Sequence, residues 1–263
     1  MGSLMLKAEH LSVSIGRNPI LREVALGIEA GESHGLIGES GSGKSMFARA
    51  VLGLLPDGAK VTGTLLFEGQ SLVGLPDRVY RTLRGNRLAY VPQDPAAAFN
   101  PTLRIADQIV ESVEFHRARS AEIRPPPPME MLRSVGLTEP ERAVRQYPHE
   151  MSGGMLQRAL IAAAVSLAPG LLLADEPTTG LDVTTQAGIV DLIRDLQSRS
   201  GMALLLISHD LALVSTLCTR ITVLYRGEVV EQGTTRQIVG SPAHAYTRAL
   251  LAATPALERR DVA

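Results

Sequence analysis

The sequence predicts an α/β fold with a mostly parallel sheet, an N-terminal antiparallel β subdomain and an inserted α-helical subdomain. Two apolar runs of strand length, "GLLLADE" and "MALLLISHD", are separated by the helical pattern "QAGIVDLIRDLQSRS". Runs buried on both faces that alternate with helices are typical of a parallel sheet covered on each side. A third apolar run, "HGLIGE", leads through a glycine-rich turn into the helical pattern "KSMFARAVLGLL" and starts such an alternating unit.

The remaining elements follow from local patterns. The stretches "LKAEHLSVSI" and "ILREVALGIEAGE" predict β segments, "GTLLFEGQSL" a hairpin, and "RLAYVPQD" a buried strand that Pro92 stops. From residue 95 to 151 the pattern turns helical, with Ile105, Ile109 and Val113 at helical spacing. Within it, the consecutive prolines of "RPPPPME" are expected to exclude helix. The stretch "RITVLYRGEVVEQGT" predicts a hairpin that turns at Arg226-Gly227.

Composition excludes several classes of protein. The chain has 263 residues, 45% of them hydrophobic and 20% charged, which is enough to bury the core of one large domain. A net charge of −1 provides no general attraction for nucleic acid or an anionic membrane surface. The single cysteine, Cys218, excludes an internal disulfide and is expected to be a small buried hydrophobe. Because neither a run of about 18 apolar residues nor a signal peptide occurs, we predict neither a membrane span nor export.

The strongest motif is "GESGSGKS", Gly38 to Ser45, which matches G-x-x-x-x-G-K-[ST] between a predicted strand and a predicted helix. Its glycines allow successive backbone N–H groups to surround the β-phosphate of a nucleotide. Lys44 would supply positive charge to the β- and γ-phosphates, and the Ser45 hydroxyl would ligate Mg²⁺. The sequence therefore predicts a P-loop NTPase core.

Polar side chains follow three of the predicted strands, where ligands bind in open α/β sheets. Asp175 is expected to hold Mg²⁺ directly or through water, and Glu176 to orient a water molecule toward the γ-phosphate. His209 is either a structural histidine or a γ-phosphate contact. Gln93, in "YVPQD", is a candidate Mg²⁺ ligand that would sense bound nucleotide.

A second anion site is suggested by "YPHEMSGGMLQRALIAAAV". Ser152 is a good N-cap, but Gly153 and Gly154 each weaken a first helical turn by roughly 1 kcal/mol relative to alanine. We therefore expect that packing alone does not explain these glycines, and that the helix start exposes bare backbone to a phosphate. The alternative is a flexible start of a core helix.

In this order, the P-loop, Gln93, "MSGG", "LLLADE" and His209 resemble the nucleotide-binding subunit of an ATP-binding-cassette transporter, from residue 38 to 210. The resemblance implies that ATP and Mg²⁺ are the cofactors and that ATP is hydrolysed, with Glu176 as general base and His209 at the γ-phosphate. It implies that two cassettes pair head to tail, so that the "SGG" of one faces the ATP of the other. Asp182, in "TTGLDVTTQ", resembles the loop that signals between the two sites.

The resemblance also implies that residues 1–263 form a single cassette, which has three parts. Residues 1–94 would form the β subdomain and the P-loop part of the core. Residues 95–151 would form the helical subdomain that receives the permease, and 152–263 the remainder of the core. The residues implied in nucleotide binding are Ile15, Gly38, Glu39, Ser40, Gly41, Ser42, Gly43, Lys44, Ser45, Met46, Gln93, Ser152, Gly153, Gly154 and Asp182. The implied Mg²⁺ ligands are Ser45, Gln93 and Asp175.

Two positions depart from the family pattern. Ile15 stands where the family usually stacks an aromatic ring on adenine, so that stacking is weaker or Arg17 contributes a cation–π contact. Met155 stands where the signature usually has glutamine. Because the serine and glycines carry the phosphate contacts, we expect this site to persist.

The stretches "QDPAAAFNP", "YPHEMSGGMLQR" and "SPAHAYTRALLAATP" resemble importer ATPases for oligopeptides, dipeptides and nickel, and the first two are most similar to nickel or metal-chelate members. The resemblance implies a second ATPase subunit, of a different chain, two membrane permeases and an extracytoplasmic binding protein, without nucleic acid. It places the protein at the cytoplasmic face of the inner membrane. Because the sequence lacks the cysteines of many peptide-importing relatives, we expect no iron–sulfur cluster.

Three alternatives stay open. The first is an ATPase of a di- or oligopeptide importer. The second is a soluble cassette ATPase without a membrane partner, although neither a second cassette nor a long coiled-coil insertion is evident. The third is a monomeric P-loop kinase, which leaves "MSGGM" unexplained.

Overall fold

The computed structural model describes residues 4–119 and 126–253. Its described residues form two compact units, residues 4–80 with 203–253 and residues 81–119 with 126–202. The strands are β1 Leu4–Ile15, β2 Asn18–Glu29, β3 Ser33–Ile37, β4 Ala59–Phe67, β5 Gln70–Ser71, β6 Leu88–Val91, β7 Leu171–Asp175, β8 Ala203–Ser208, β9 Arg220–Tyr225 and β10 Glu228–Thr234. The α-helices are α1 Lys44–Leu52, α2 Asp77–Leu83, α3 Pro95–Ala98, α4 Ile105–Ile109, α5 Glu111–Arg117, α6 Pro128–Ser134, α7 Pro140–Ala143, α8 Gly153–Val165, α9 Val183–Ser200, α10 Leu211–Leu217, α11 Thr235–Gly240 and α12 Ala245–Ala252.

The first unit contains the predicted antiparallel sheet and a largely parallel one. The antiparallel sheet has the order β2-β1-β4-β5. In the other sheet β3 pairs in parallel with β8 and β9, and β10 pairs antiparallel to β9. Every residue of β3 and β8 is buried, which confirms the interpretation of their continuous apolar runs. Cys218 is buried among them as expected, and burial raises the pKa of its thiol.

Two hairpins of this unit are closed by tight two-residue turns with the same geometry. Arg226 and Gly227, with φ of 49° and 85°, join β9 to β10 at the predicted turn. Glu68 and Gly69, with φ of 49° and 79°, join β4 to β5. Positive φ at both central residues is the type I′ geometry that matches the twist of paired strands.

The second unit contains the parallel pair β6 and β7 and helices α3 to α9. All of β7 is buried. The long helix α8 packs against β6 and against α3, α4, α6 and α9. Within the described part of residues 95–151 the regular structure is helical, as predicted, although the boundaries at 95 and 151 stay a prediction.

Local details differ from the expectations. Ile105, Ile109 and Val113 are fully buried on one face, but they belong to two helices, because α4 ends at Ile109 and α5 begins at Glu111. The expectation that the proline run excludes helix is wrong for Pro128, which begins α6. The first helical position tolerates proline because its N–H has no partner within the helix. Residues 124 and 125 of that run lie outside the described residues.

Helix α1 ends earlier than the sequence pattern predicts. Gly53, which lies inside the predicted helical pattern "KSMFARAVLGLL", terminates it in the left-handed conformation, with φ of 63°. A Cβ at Gly53 would lie 2.4 Å from the Tyr80 ring. Close packing of that ring therefore selects glycine at the end of the helix. None of the helices within 4–119 and 126–253 has the length and apolar character needed to cross a membrane.

Candidate active site

The P-loop connects β3 to α1, and its glycines are required by geometry at both ends. Gly38 has φ of 156°, and a Cβ there would lie 2.2 Å from the Leu224 carbonyl oxygen. Gly43 has φ of 109°, and its Cβ would lie 2.7 Å from Leu21 Cδ2. At Gly41, with φ of 80°, a Cβ would meet nothing within 4 Å. The loop is thus closely packed at its ends and open in the middle, which allows a phosphate to approach its backbone.

The lysine of the motif is held against the loop. Lys44 is 6% exposed, and its Nζ donates hydrogen bonds to the carbonyl oxygens of Gly38, at 2.6 Å, and Glu39, at 2.8 Å. The buried Ser42 hydroxyl has no hydrogen-bond partner in the described structure. A nucleotide phosphate fits this chemistry, since it offers acceptors to the ammonium group and to the N–H groups at the start of α1. Of the next two predicted contacts, Ser45 is exposed and Met46 half-buried.

Two elements distant in the sequence hold the P-loop from outside. The Gly227 N–H, in the β9–β10 turn, donates to the Ser42 carbonyl at 2.9 Å. The Glu39 N–H donates to the hydroxyl of Tyr246, on α12, at 2.9 Å. Sequence analysis missed Tyr246, because it lies 207 positions from Glu39 and no local pattern connects the two.

Ile15 lies at the end of β1 and is half-buried, and Gly16 and the exposed Arg17 form the turn to β2. His209, in the same unit, directly follows β8 and is exposed. The next residue, Asp210, begins α10 by accepting the Leu213 N–H.

The two carboxylates after β7 have different surroundings. Asp175 is 5% exposed, and the Tyr90 hydroxyl donates to its Oδ2 at 3.3 Å. Glu176 is half-buried and accepts hydrogen bonds at one oxygen, Oε2, from Gln93 Nε2 at 3.2 Å and from the Thr179 hydroxyl at 2.9 Å. Its backbone φ is 48°, an uncommon conformation for a residue with a side chain. Strained backbone of this kind occurs frequently at functional sites, where it aims a side chain.

Gln93 and Glu176, two predicted site residues 83 positions apart, are therefore brought into direct contact. Sequence analysis missed Tyr90 and Thr179. Thr179 could have been found, because three residues after Glu176 is the distance that a turn closes, and the Thr179 N–H does donate to the Glu176 carbonyl. Nothing in the local pattern indicates the role of Tyr90.

The "SGG" stretch begins α8 as predicted. The Ser152 hydroxyl caps the helix by accepting the Met155 N–H at 3.3 Å. A Cβ at Gly154 would lie 2.6 Å from Thr185 Cγ2, on α9, whereas one at Gly153 would lie 3.4 Å from Leu181, an ordinary contact. The expectation that packing alone does not explain these glycines is therefore wrong for Gly154, where the contact with Thr185 is by itself a reason for glycine. It stays open for Gly153, which is exposed.

Asp182 caps α9 through hydrogen bonds from Thr185, the residue that a Cβ at Gly154 would contact. Its carboxylate accepts the Thr185 hydroxyl at 2.6 Å and the Thr185 N–H at 3.0 Å. These bonds, led by that of the hydroxyl, lower the pKa of Asp182. Thr185 therefore connects the Asp182 loop to the start of α8, since its methyl group is the neighbour that excludes a side chain at Gly154.

Comparison with known proteins identifies the family. A family model described as "ABC transporter" matches residues 21–179. The chain belongs to the ABC transporter family. Its match extends from the first unit through the P-loop to the acidic end of β7, and so includes Gln93, the "SGG" stretch and Glu176.

Similar ABC transporter proteins match most of the chain. It is 46% identical over 230 residues to the "Probable peptide ABC transporter ATP-binding protein y4tR" of Sinorhizobium fredii, with 87% of this chain and 69% of that protein covered. It is 41% identical over 260 residues to the "Oligopeptide transport ATP-binding protein OppD" of Bacillus subtilis, with 97% and 73% covered. The solved "Dimeric structure of a post-hydrolysis state of the ATP-binding cassette MJ0796 bound to ADP and Pi" matches with a TM-score of 0.74 and 27% identity, over 88% of this chain and 99% of that one.

These ABC transporter matches confirm the predicted α/β fold class and the predicted activity, ATP binding and hydrolysis. They also exclude the monomeric P-loop kinase as the explanation of the P-loop. The roles of individual site residues are treated as proposals below.

Proposed function

We propose that this chain is the ATPase subunit of an importer for dipeptides or oligopeptides. The observation that carries the proposal is its 41% identity, over 97% of its length, to an oligopeptide transport ATP-binding protein. Dipeptide transport ATP-binding proteins of Haemophilus influenzae and Escherichia coli are similarly related, at 41% and 40% identity. These relatives favour the peptide alternative over nickel.

Nickel or a metal chelate stays the second candidate, on the stretches "AFNP" and "MSGGMLQR" alone. In the proposed transporter, the permeases and the extracytoplasmic binding protein would bind the transported substrate, so the residues of the ATPase would not contact it. The choice between peptide and metal therefore requires a transport measurement.

In the first unit, Lys44 and the backbone N–H groups of the P-loop would bind the phosphates of ATP. The placement of the Lys44 ammonium against the loop carbonyls supports this role, since a short movement exchanges carbonyl acceptors for phosphate oxygens. Ser45 would supply an oxygen ligand to the Mg²⁺ of the nucleotide. His209 would donate a hydrogen bond to the γ-phosphate.

In the second unit, Asp175 and Gln93 offer the oxygen ligands that Mg²⁺ prefers. When bound, Mg²⁺ neutralises charge on the β- and γ-phosphates. Glu176 would accept a proton from the attacking water as general base. Its strained backbone and its hydrogen bonds from Gln93 and Thr179 support this role, because they restrict where the carboxylate points.

Ser152, Gly153 and Gly154 would bind the γ-phosphate of ATP held by a second ATPase subunit, which we propose to be a different chain. Asp182 would lie at the contact between the two subunits. ATP would then join the subunits, and hydrolysis would remove the phosphate that both hold. Two membrane permeases and an extracytoplasmic binding protein would complete the transporter at the cytoplasmic face of the inner membrane.

The test is uptake by source cells whose only copy of the gene encodes either the native chain or Glu176→Gln. We expect accumulation of a labelled dipeptide to fall to background in the variant while nickel accumulation is unchanged. Loss of nickel uptake alone would replace the peptide assignment with the metal one. If neither changed, the import assignment itself would be wrong, and a cassette ATPase without a membrane partner would be favoured.

The same variant, purified, tests the catalytic assignment. Gln keeps the size of Glu176 but cannot accept the proton, so hydrolysis should fall by about 10² to 10⁴. ATP affinity should stay as in the native chain. Hydrolysis at the native rate would show that another group is the base.

A further inference from the structure

One peptide group of the P-loop is hydrogen-bonded at both of its ends. The carbonyl of Gly38 accepts from Lys44 Nζ at 2.6 Å, and the N–H of Glu39, in the same peptide group, donates to the Tyr246 hydroxyl at 2.9 Å. A peptide group is planar, so its N–H and its carbonyl turn together. The orientation at the Tyr246 end therefore sets the direction of the oxygen that holds the lysine.

This peptide group needs support. Gly38 has φ of 156° and lies so close to the Leu224 carbonyl that only glycine fits. Glu39 is exposed, and Gly41 has no close neighbour on the side where a Cβ would point. Within the loop, Lys44 Nζ holds the carbonyls of Gly38 and Glu39, whereas the Glu39 N–H is held from outside the loop by the Tyr246 hydroxyl.

Helix α12, which carries Tyr246, is itself held in place by contacts with the sheet. The Glu231 carboxylate, on β10, accepts the N–H groups of Ala243 and His244 at 2.7 and 3.0 Å, which ties the start of the helix to the sheet. The Tyr246 ring packs on that of Tyr225, with the centroids 4.2 Å apart. Burial raises the pKa of Tyr246, and its hydroxyl oxygen accepts the Glu39 N–H.

We propose that Tyr246 is a positioning residue for nucleotide binding: its hydroxyl orients the Gly38–Glu39 peptide group and thereby places the Lys44 ammonium for the phosphates of ATP. The inference rests on the proposed role of Lys44. In this role Tyr246 acts through the peptide group and not by contact with the nucleotide.

The experiment compares Tyr246→Phe with Tyr225→Phe in the full chain. The first variant removes the hydroxyl that accepts the Glu39 N–H and keeps the ring contact. The second makes the same chemical change in the partner ring, whose hydroxyl takes part in no hydrogen bond among the described residues. ATP affinity is measured by titration calorimetry, ATPase kcat and KM by phosphate release, and the melting temperature without nucleotide by calorimetry.

We expect Tyr246→Phe to weaken ATP binding and raise KM about fivefold to tenfold, the effect of one net hydrogen bond. Its kcat at saturating ATP and its melting temperature should change little, because chemistry and packing are not touched. Tyr225→Phe should match the native chain. Native ATP affinity in Tyr246→Phe would overturn the inference, as would equal weakening in both variants, which would assign the effect to ring packing.

Lys44→Ala, measured in parallel, distinguishes a failure of the inference about Tyr246 from a failure of the proposed role of Lys44. If it loses ATP binding while Tyr246→Phe does not weaken it, only the inference about Tyr246 fails. If Lys44→Ala binds ATP as the native chain does, the proposed role of the P-loop lysine fails, and the inference fails with it.

Discussion

The starts of α1 and α8 are both rich in glycine, but they are built differently. Before α1, the glycines adopt positive φ, the N-cap is Gly43 without a side-chain hydrogen bond, and the first helical residue is the cation Lys44. At α8, Ser152 caps the helix with its hydroxyl, the two glycines lie inside the first turn, and this turn carries no charged side chain. The start of α1 combines loop backbone with a lysine side chain, whereas the start of α8 offers backbone N–H groups without a cation.

The difference indicates how much of an anion site each helix supplies. The P-loop combines N–H groups, a helix dipole and a cation within one chain, which is a complete phosphate site. The start of α8 has the first two only, so it would bind strongly only a phosphate whose charge is neutralised elsewhere. This supports the proposal that it acts on the nucleotide of a second subunit.

The largest effect should come from removing the cation. Lys44→Ala should lower ATPase kcat/KM by roughly 10³, since charge-assisted hydrogen bonds to the phosphates are lost. The measurement is phosphate release together with ATP titration of the full chain. An unaltered ATP affinity would contradict the description of the P-loop as the complete site.

Ser152→Arg should leave ATP binding to the chain's own P-loop unchanged but reduce hydrolysis in the assembled transporter by about 10², because the large side chain blocks the helix start. Titration of the single chain and phosphate release from the complex report the two quantities separately. Equal loss of ATP affinity in the isolated chain would show that α8 acts within its own subunit.

The two glycines of α8 should respond with opposite signs. Gly154→Ala forces a Cβ against Thr185 and should lower the free energy of unfolding by about 1–3 kcal/mol. Gly153→Ala meets only an ordinary contact and should raise it by up to about 1 kcal/mol through helix propensity. Denaturant unfolding measures both.

A double variant checks the cause. Adding Thr185→Ser to Gly154→Ala removes the contacting methyl group and keeps the hydroxyl that donates to Asp182, so the penalty of the glycine replacement, measured against Thr185→Ser alone, should disappear. Its persistence would mean that Gly154 is required for another reason. If Gly153→Ala stabilises the chain and also reduces hydrolysis by the complex, Gly153 is retained for its exposed backbone.

The smallest effect concerns Asp182. Thr185→Val keeps the methyl group over Gly154 and removes the hydroxyl that donates to the carboxylate, so the pKa of Asp182 should rise toward its usual value of 3.8. In the native chain the pKa of Asp182 is lower than 3.8, so the stabilisation that its carboxylate contributes is fully present above pH 3.8. This stabilisation is lost as the pH falls through the native pKa. Carboxylate titration by NMR measures the change, and an unchanged titration would exclude the hydroxyl as its cause.

The sequence was most informative where chemistry is local. The P-loop pattern, the buried strands β3, β7 and β8, and the turn at Arg226-Gly227 all follow from residue types at short spacing, and the structure contains them. The ends of the helices were harder to predict from the sequence. Gly53 ends α1 because of the distant Tyr80 ring, and Pro128 begins a helix although it lies in a proline run.

By itself, the sequence determined the α/β class, the P-loop NTPase core and the order of the motifs, because backbone propensity and phosphate chemistry depend on neighbouring residues. ATP binding and hydrolysis followed from the resemblance of those motifs to a known family. The tertiary structure alone decided which distant groups meet. It brought Gln93 to Glu176, Thr185 to Gly154 and Tyr246 to Glu39. Such contacts depend on how whole elements pack, and hydrogen bonds act only at about 3 Å, so no spacing along the chain could reveal them.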